Sequence, residues 1–302
     1  MKTVRGIAAA GGWKSPVVAI GVFDGLHKGH KRILETCVSI ARRTGGTSVV
    51  LTFWPHPQSQ DSIYSLDHRL AIIGRLGIDI CVVVRLDRAF ASMTARQFIE
   101  RVLKGRMAAR WVLVGANFRF GRGLGGSVST LKEFSSSCGY RLKVFPVMRS
   151  GGKPISSTRI RRCISTGRLE EARRLLGRRV SIFGTVAGGN AIGRTLGYPT
   201  ANILPRHEVL PPDGIYAAKA SVDGRKFPAI LYKGKRPTFE REGLPPTVEV
   251  HLLRFSGDLY GKTMEVSFYK KLRDEKKFSS PQALGRAIAR DIAAARRILR
   301  SS

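Results

Sequence analysis

The two halves of this 302-residue chain arrange their apolar positions differently. Up to about residue 147, short apolar runs alternate with stretches whose apolar residues recur every three or four positions. Val17–Phe23 reads as a strand. Lys31–Arg43 reads as a helix, with Ile33, Leu34, Cys37, Val38 and Ala41 along one stripe. Thr47–Phe53 and Asp79–Leu86 are further strands, and Leu66–Leu76 and Ala95–Lys104 are helices. Trp111–Val114, Ser129–Ser137 and Arg141–Val147 complete the series. Strand and helix alternating in this way predict parallel strands joined by crossover helices. Ligands of such sheets sit beyond the carboxyl ends of the strands.

The second half follows another pattern. Ser156–Leu176 reads as one or two short arginine-rich helices. Strand-like runs then follow at Val180–Val186, Gly214–Val222, Lys226–Tyr232, Val248–Phe255 and Thr263–Tyr269, separated by turns such as Asp223-Gly224 and Ser256-Gly257-Asp258. Hairpin spacing with a single late helix predicts a small closed antiparallel barrel. In that final helix Ser280 is placed to cap, Pro281 fits the first turn, and Leu284, Ile288, Ile292 and Leu299 mark a face expected to be buried. The expected division is residues 1–165, a helical linker 166–179, and residues 180–302.

Composition narrows the function classes. Apolar residues make up 43% and charged ones 25%, a globular balance. Lys and Arg number 53 against 21 Asp and Glu, giving a formal net charge of +32. Such a field attracts polyanions, with nucleotides, nucleic acid and anionic membrane all eligible. The basic residues are spread along the chain rather than gathered in an arm, which favours a general surface bias over a dedicated polyanion-binding arm. Cys37, Cys81, Cys138 and Cys163 lie far apart with no C-x-x-C pair, which points to neither a zinc site nor a disulfide framework. The short run Ile7–Ala10 is too brief for a secretory core, and no stretch reaches the roughly 20 apolar residues of a membrane span. A cytoplasmic protein without membrane contact is expected, with oligomeric state left open.

Three segments of the first half carry candidate chemistry. Gly21-Val22-Phe23-Asp24-Gly25-Leu26-His27-Lys28-Gly29-His30 follows the first predicted strand of this half. Two imidazoles three apart near a helix start can face a phosphate beside the free N–H groups, or they can be ordinary surface residues. A metal is less favoured, because no Cys or further His lies close in sequence. Gly115-Ala116-Asn117-Phe118-Arg119-Phe120-Gly121 suits a loop passing a planar, phosphorylated ligand. The adjoining Gly121–Gly126 formally matches G-x-G-x-x-G but follows a late strand and lacks a well-placed acid, so it is no dinucleotide fingerprint. Ser156-Ser157-Thr158-Arg159-Ile160-Arg161 offers hydroxyls and guanidinium forks at a helix start. In the second half Thr200 and Asn202, two apart on an extended segment, point to one side and offer oxygens to a hard cation.

Together the first three segments resemble the nucleotidyltransferase superfamily, and more specifically the adenylyltransferase module of bacterial FAD synthetase. Pro199-Thr200-Ala201-Asn202 resembles the hallmark of the riboflavin kinase module. In order follow Gly214-Ile215-Tyr216, Arg236-Pro237-Thr238-Phe239, Val248-Glu249-Val250-His251, Asp258-Leu259-Tyr260-Gly261, and Leu272-Arg273 ahead of Lys277-Phe278. The whole chain is thus similar to the bifunctional riboflavin kinase/FAD synthetase family.

The resemblance implies a Rossmann-like α/β nucleotidyltransferase domain, then a riboflavin kinase-like β-barrel with a C-terminal helix. It implies ATP, riboflavin and FMN as substrates and Mg²⁺ as cofactor. His27 and His30 would stabilise adenylyl transfer, while Phe23, Asp24, Gly25, Gly29, Asn117, Ser157, Thr158 and Arg161 hold that ATP. In the kinase, Glu249 would be the general base and Thr200 and Asn202 the Mg²⁺ ligands. Gly184, Gly189, Gly193, Gly197, Pro199 and Arg273 would serve ATP or flavin. Two alternatives stand beside this reading: only one active module, or a basic derivative that binds RNA weakly or in earnest.

Overall fold

Val17–Ile20 (β2) is buried at every position, and it lies inside a six-stranded parallel sheet. Its neighbours are Ser48–Phe53 (β3) and Trp111–Gly115 (β5). Ile80–Val84 (β4) and Lys2–Arg5 (β1) continue beyond β3, and Arg141–Phe145 (β6) lies beyond β5. Strands covered on both faces read as continuous apolar runs, which is why the middle of this sheet shows in the sequence. The edge strand β1 does not show there: only Val4 of its four residues is buried. The computed structural model describes residues 1–55, 62–188, 197–204, 208–234 and 247–300.

Helix α1, Lys28–Arg43, buries Ile33, Leu34, Cys37, Val38, Ile40 and Ala41, and α2 spans Leu66–Arg75. The predicted strand 17–23 stops at Ile20, and the predicted helix start moves forward from Lys31 to Lys28. The expected helix 95–104 is a single α-turn, Ala95–Gln97, that widens into a π-helix over Phe98–Arg106. Its i→i−5 bonding shows in Met107 N donating to Val102 O at 2.9 Å.

A short hairpin pairs Arg149–Ser150 (β7) with Lys153–Pro154 (β8). Helices Ser157–Ser165 and Leu169–Leu176 follow. By internal contacts the chain forms two units: Met1–Ser62 with Arg69–Ser157, and Ile63–His68 with Thr158–Ser302.

The second unit is built on a closed barrel. Its strands are Ser181–Ala187 (β9), Ala201–Ile203 (β10), Gly214–Val222 (β11), Arg225–Gly234 (β12), Thr247–Leu252 (β13) and Thr263–Arg273 (β14). They close in the order β10-β13-β12-β11-β14-β9, antiparallel throughout. The C-terminal helix Pro281–Arg300 is capped by Ser280, whose Oγ accepts from Ala283 N at 3.2 Å. Ala295 and Leu299 pack on Ile215, Ala217 and Ile230 from outside the barrel. The fully buried stripe of this helix is Ala287, Asp291, Ala295 and Leu299, with Leu284, Ile288 and Ile292 half-buried beside it. The expected face is therefore rotated. Hydrophobicity could not place an aspartate at its centre, but Asp291 is there because it pairs with Arg273.

A polar cluster is buried in the second unit. The His68 ring meets Glu208 Oε1 at 3.1 Å, Glu265 Oε1 at 3.2 Å and Ser181 Oγ at 3.3 Å. It stacks on Phe183 and packs against Tyr64, which lies under the Arg178 guanidinium. Burial pulls the His68 pKa down, but hydrogen bonds and charge from Glu208 and Glu265 outweigh it, and the net shift is upward.

Candidate functional site

In the first unit the chain leaves β2 through a strained turn. Phe23 (φ 53°), Gly25 (φ 73°) and Leu26 (φ 44°) are all left-handed, a conformation that costs a residue with a side chain about 1–2 kcal/mol. The surroundings over-determine it. Arg69, fully buried on α2, donates from Nη1 to Val22 O at 2.8 Å and Phe53 O at 3.2 Å, with its guanidinium over Trp54. Ser157 Oγ donates to Asp24 O at 3.0 Å. Strain held in this way beyond a strand's carboxyl end makes this a candidate functional loop.

His27 caps α1, its Nδ1 accepting from His30 N at 3.3 Å. In the neutral ring this leaves the proton on Nε2, as a donor. The His27 and His30 rings stack with centroids 3.6 Å apart, and Phe23 meets His30 edge-on at 5.3 Å. A Cβ on Gly29 would lie 3.2 Å from His27 Cε1, so glycine lets the two imidazoles share the first turn. Beyond the adjacent parallel strand β5, Asn117 is exposed on the same edge of the sheet. Thr158 and Arg161 follow Ser157 on helix 157–165 and group with the second unit. The buried Cys37 and Cys81 thiols are pushed up to about 12 by burial, which makes neither a nucleophile at neutral pH.

In the second unit the candidate residues sit on the outer face of the barrel. Along β13 Val248, Val250 and Leu252 are buried, so Glu249 and His251 project outward. Glu249 stands opposite Asn202 of β10 and opposite Tyr232 of β12. Thr200 Oγ1 donates to Glu249 Oε2 at 3.2 Å. Three oxygen-bearing side chains, separated by up to 49 positions, thus converge on one small patch. Gly197 is left-handed (φ 80°) at the entrance to this segment. Gly184 has a packing reason, since a Cβ there would lie 2.8 Å from Ile203 Cγ2. Gly189 and Gly193, and the motif Arg236–Phe239, lie outside the described residues.

Arg273 is not brought to this patch by a direct bond. Its Nε and Nη2 donate to the Asp291 carboxylate, at 3.1 and 2.8 Å to Oδ2, and Nη1 donates to Asp274 O at 3.2 Å. Sequence reasoning missed Arg69, His251 and Asp291 as contributors. For Arg69 and Asp291 the usable signal was a charge within a helical apolar stripe.

Comparison with known proteins bears on both sites. A family model described as FAD synthetase matches residues 11–159, and one described as riboflavin kinase matches residues 176–299. A bifunctional riboflavin kinase/FMN adenylyltransferase of Escherichia coli (strain K12) is 35% identical over 306 residues, covering 98% of this chain and 97% of its own. Its namesake in Bacillus subtilis (strain 168) is 34% identical over 286 residues, covering 91% and 90%. A crystal structure described as a macrolide-efflux protein from Streptococcus pneumoniae is similar with a TM-score of 0.83 and 30% identity, covering 98% of this chain and 99% of that one. Among the described residues of the present chain, no helix is long and apolar enough to cross a membrane.

Proposed function

We propose a residue-level division of labour that proceeds from one premise: the chain belongs to the bifunctional riboflavin kinase/FMN adenylyltransferase family. It phosphorylates riboflavin to FMN with ATP, and it adenylylates FMN to FAD with release of pyrophosphate. The adenylyltransferase occupies residues 1–165 and the kinase residues 180–302, joined by 166–179. We place the protein in the cytoplasm. Its +32 charge supports weak, salt-sensitive association with nucleic acid, and assembly into oligomers is compatible with the reading.

The kinase assignment rests on the convergence of Thr200, Asn202 and Glu249. Glu249 accepts the proton of the riboflavin 5′-hydroxyl as that oxygen bonds to the γ-phosphorus of ATP and the bond to the ADP oxygen breaks. The Thr200 hydroxyl, donating to Glu249 at 3.2 Å, keeps the carboxylate aimed at the patch. The donor set is all oxygen, which suits a hard cation. Thr200 and Asn202 would hold Mg²⁺, which supplies neutralisation of phosphate charge when bound. Gly184, Gly189, Gly193, Gly197 and Pro199 shape the nucleotide side. Arg273 is assigned to flavin contact.

In adenylyl transfer an FMN phosphate oxygen attacks the α-phosphorus and pyrophosphate leaves, so no enzyme nucleophile is needed. His27 and His30 donate to oxygens that gain charge in the transition state. Phe23, Asp24, Gly25 and Gly29 form the loop that presents them, and Asn117, Ser157, Thr158 and Arg161 hold the nucleotide. Chromatography of products from riboflavin, ATP and Mg²⁺ tests the reading: FMN and FAD should both form. Glu249→Ala should then stop the first step alone and His30→Ala the second alone. If either substitution stopped both steps in folded protein, the division would be wrong.

A further inference from the structure

Strand β10 is only three residues long, and among the described residues β9 pairs on its far side with Asn202 and Ile203. Thr200 therefore lies one step before the strand begins. Pro199 has no N–H to offer.

Continuing the register of Asn202 with Glu249 and Ala201 with Val250 brings Thr200 opposite His251. His251 and Glu249, two apart on β13, share the outward face. The His251 Nδ1 lies 2.8 Å from Pro199 O, and Tyr198 meets the ring edge-on with centroids 5.7 Å apart. A carbonyl only accepts, so Nδ1 is the donor and carries the proton. The peptide linking Pro199 to Thr200 is thus gripped by two side chains of one strand: His251 at its carbonyl and Glu249 at the next hydroxyl.

We propose that His251 is a positioning residue of the kinase, fixing Thr200 against Glu249 through its bond to the Pro199 carbonyl. It touches neither substrate nor reacting atoms. The inference rests on the assignment of Thr200 and Glu249 above. Partners that orient metal or nucleotide ligands typically contribute 10–100-fold in affinity or activity.

The test uses the full chain with three substitutions. Asparagine puts its amide N–H close to where Nδ1 stood, glutamine carries its donor one bond further, and alanine has none. Calorimetry of Mg²⁺·ADP binding to the kinase site is read in an Asn117→Ala, Arg161→Ala background, which removes two of the groups assigned to hold the other nucleotide. His251→Ala and His251→Gln should weaken that binding on the order of 10-fold or more, while His251→Asn restores most of it. Riboflavin phosphorylation should follow the same order. FMN adenylylation, measured in chains with Asn117 and Arg161 intact, should be unchanged by all three. Wild-type affinity in His251→Ala, or asparagine no better than glutamine, would overturn the inference. Glu249→Ala keeps the two claims apart. If it spares the kinase, the functional reading fails. If it abolishes the kinase while His251→Ala binds and turns over normally, only the positioning role fails.

Discussion

The two candidate sites are constructed in opposite ways. The first is a contiguous stretch of ten residues, Gly21–His30, whose geometry comes from strained backbone beyond a buried parallel strand and from a histidine that caps its own helix. The second gathers Asn202 and Glu249 from paired strands and Thr200 from the residue just before β10, far from Glu249 in sequence. A local site depends on what its own few residues can adopt. A register-built site depends on every ladder bond that sets the register, because a one-residue slip would turn Glu249 inward.

The largest expected effects test that contrast directly. Glu249→Ala should lower FMN formation by about 10²–10⁴-fold, the span typical of a lost general base, and leave FMN-to-FAD conversion alone. His30→Ala should do the reverse, by on the order of 10²–10³-fold. Separate assays of the two half-reactions check both.

Next in size is a stability effect. His68→Ala would leave the Glu208 and Glu265 carboxylates without their shared cation, at about 3–5 kcal/mol. Denaturant unfolding of the intact chain measures it. Because folding raises the His68 pKa, its contribution is complete below about pH 6.5 and declines as pH rises through the raised value. Wild-type stability should therefore fall on going from pH 6.5 towards 9, and His68→Gln should flatten that slope. An equal slope in both proteins would remove His68 as its cause.

Smaller effects separate the sites by their glycines. Gly184→Ala pushes a Cβ to 2.8 Å from Ile203 Cγ2, so it should cost about 1–3 kcal/mol and lower kinase activity by shifting β10. Gly29→Ala crowds the His27 ring at 3.2 Å. It should reduce adenylylation by roughly 10-fold, since sub-ångström misplacement is felt in the transition state, with phosphorylation unaffected. If Gly184→Ala impaired adenylylation as much as the kinase, the sites would not be separately built.

Legibility in the sequence followed the same divide. The apolar run of β2, the stripe of α1 and the H-x-G-H turn between them are short-range patterns, and all three were readable. The barrel was readable as hairpin-spaced strands. Asp291 was not, because a charged residue becomes buried only when a distant Arg273 meets it. His68 reads in sequence as one more polar position of a helix, and only the fold surrounds it with Glu208, Glu265 and Ser181.

By itself, then, the order of residues determined the kinds of element, the parallel and antiparallel halves, the two motif sets and the chemistry their side chains can perform. These depend on periodicity and on backbone preferences spanning a few residues. Tertiary structure alone decided that Glu249 faces Thr200 rather than another hydroxyl, that His251 holds the Pro199 carbonyl, and that Ile63–His68 groups with the barrel. Those choices depend on pairing between residues tens to hundreds of positions apart, and no local pattern encodes the distance between them.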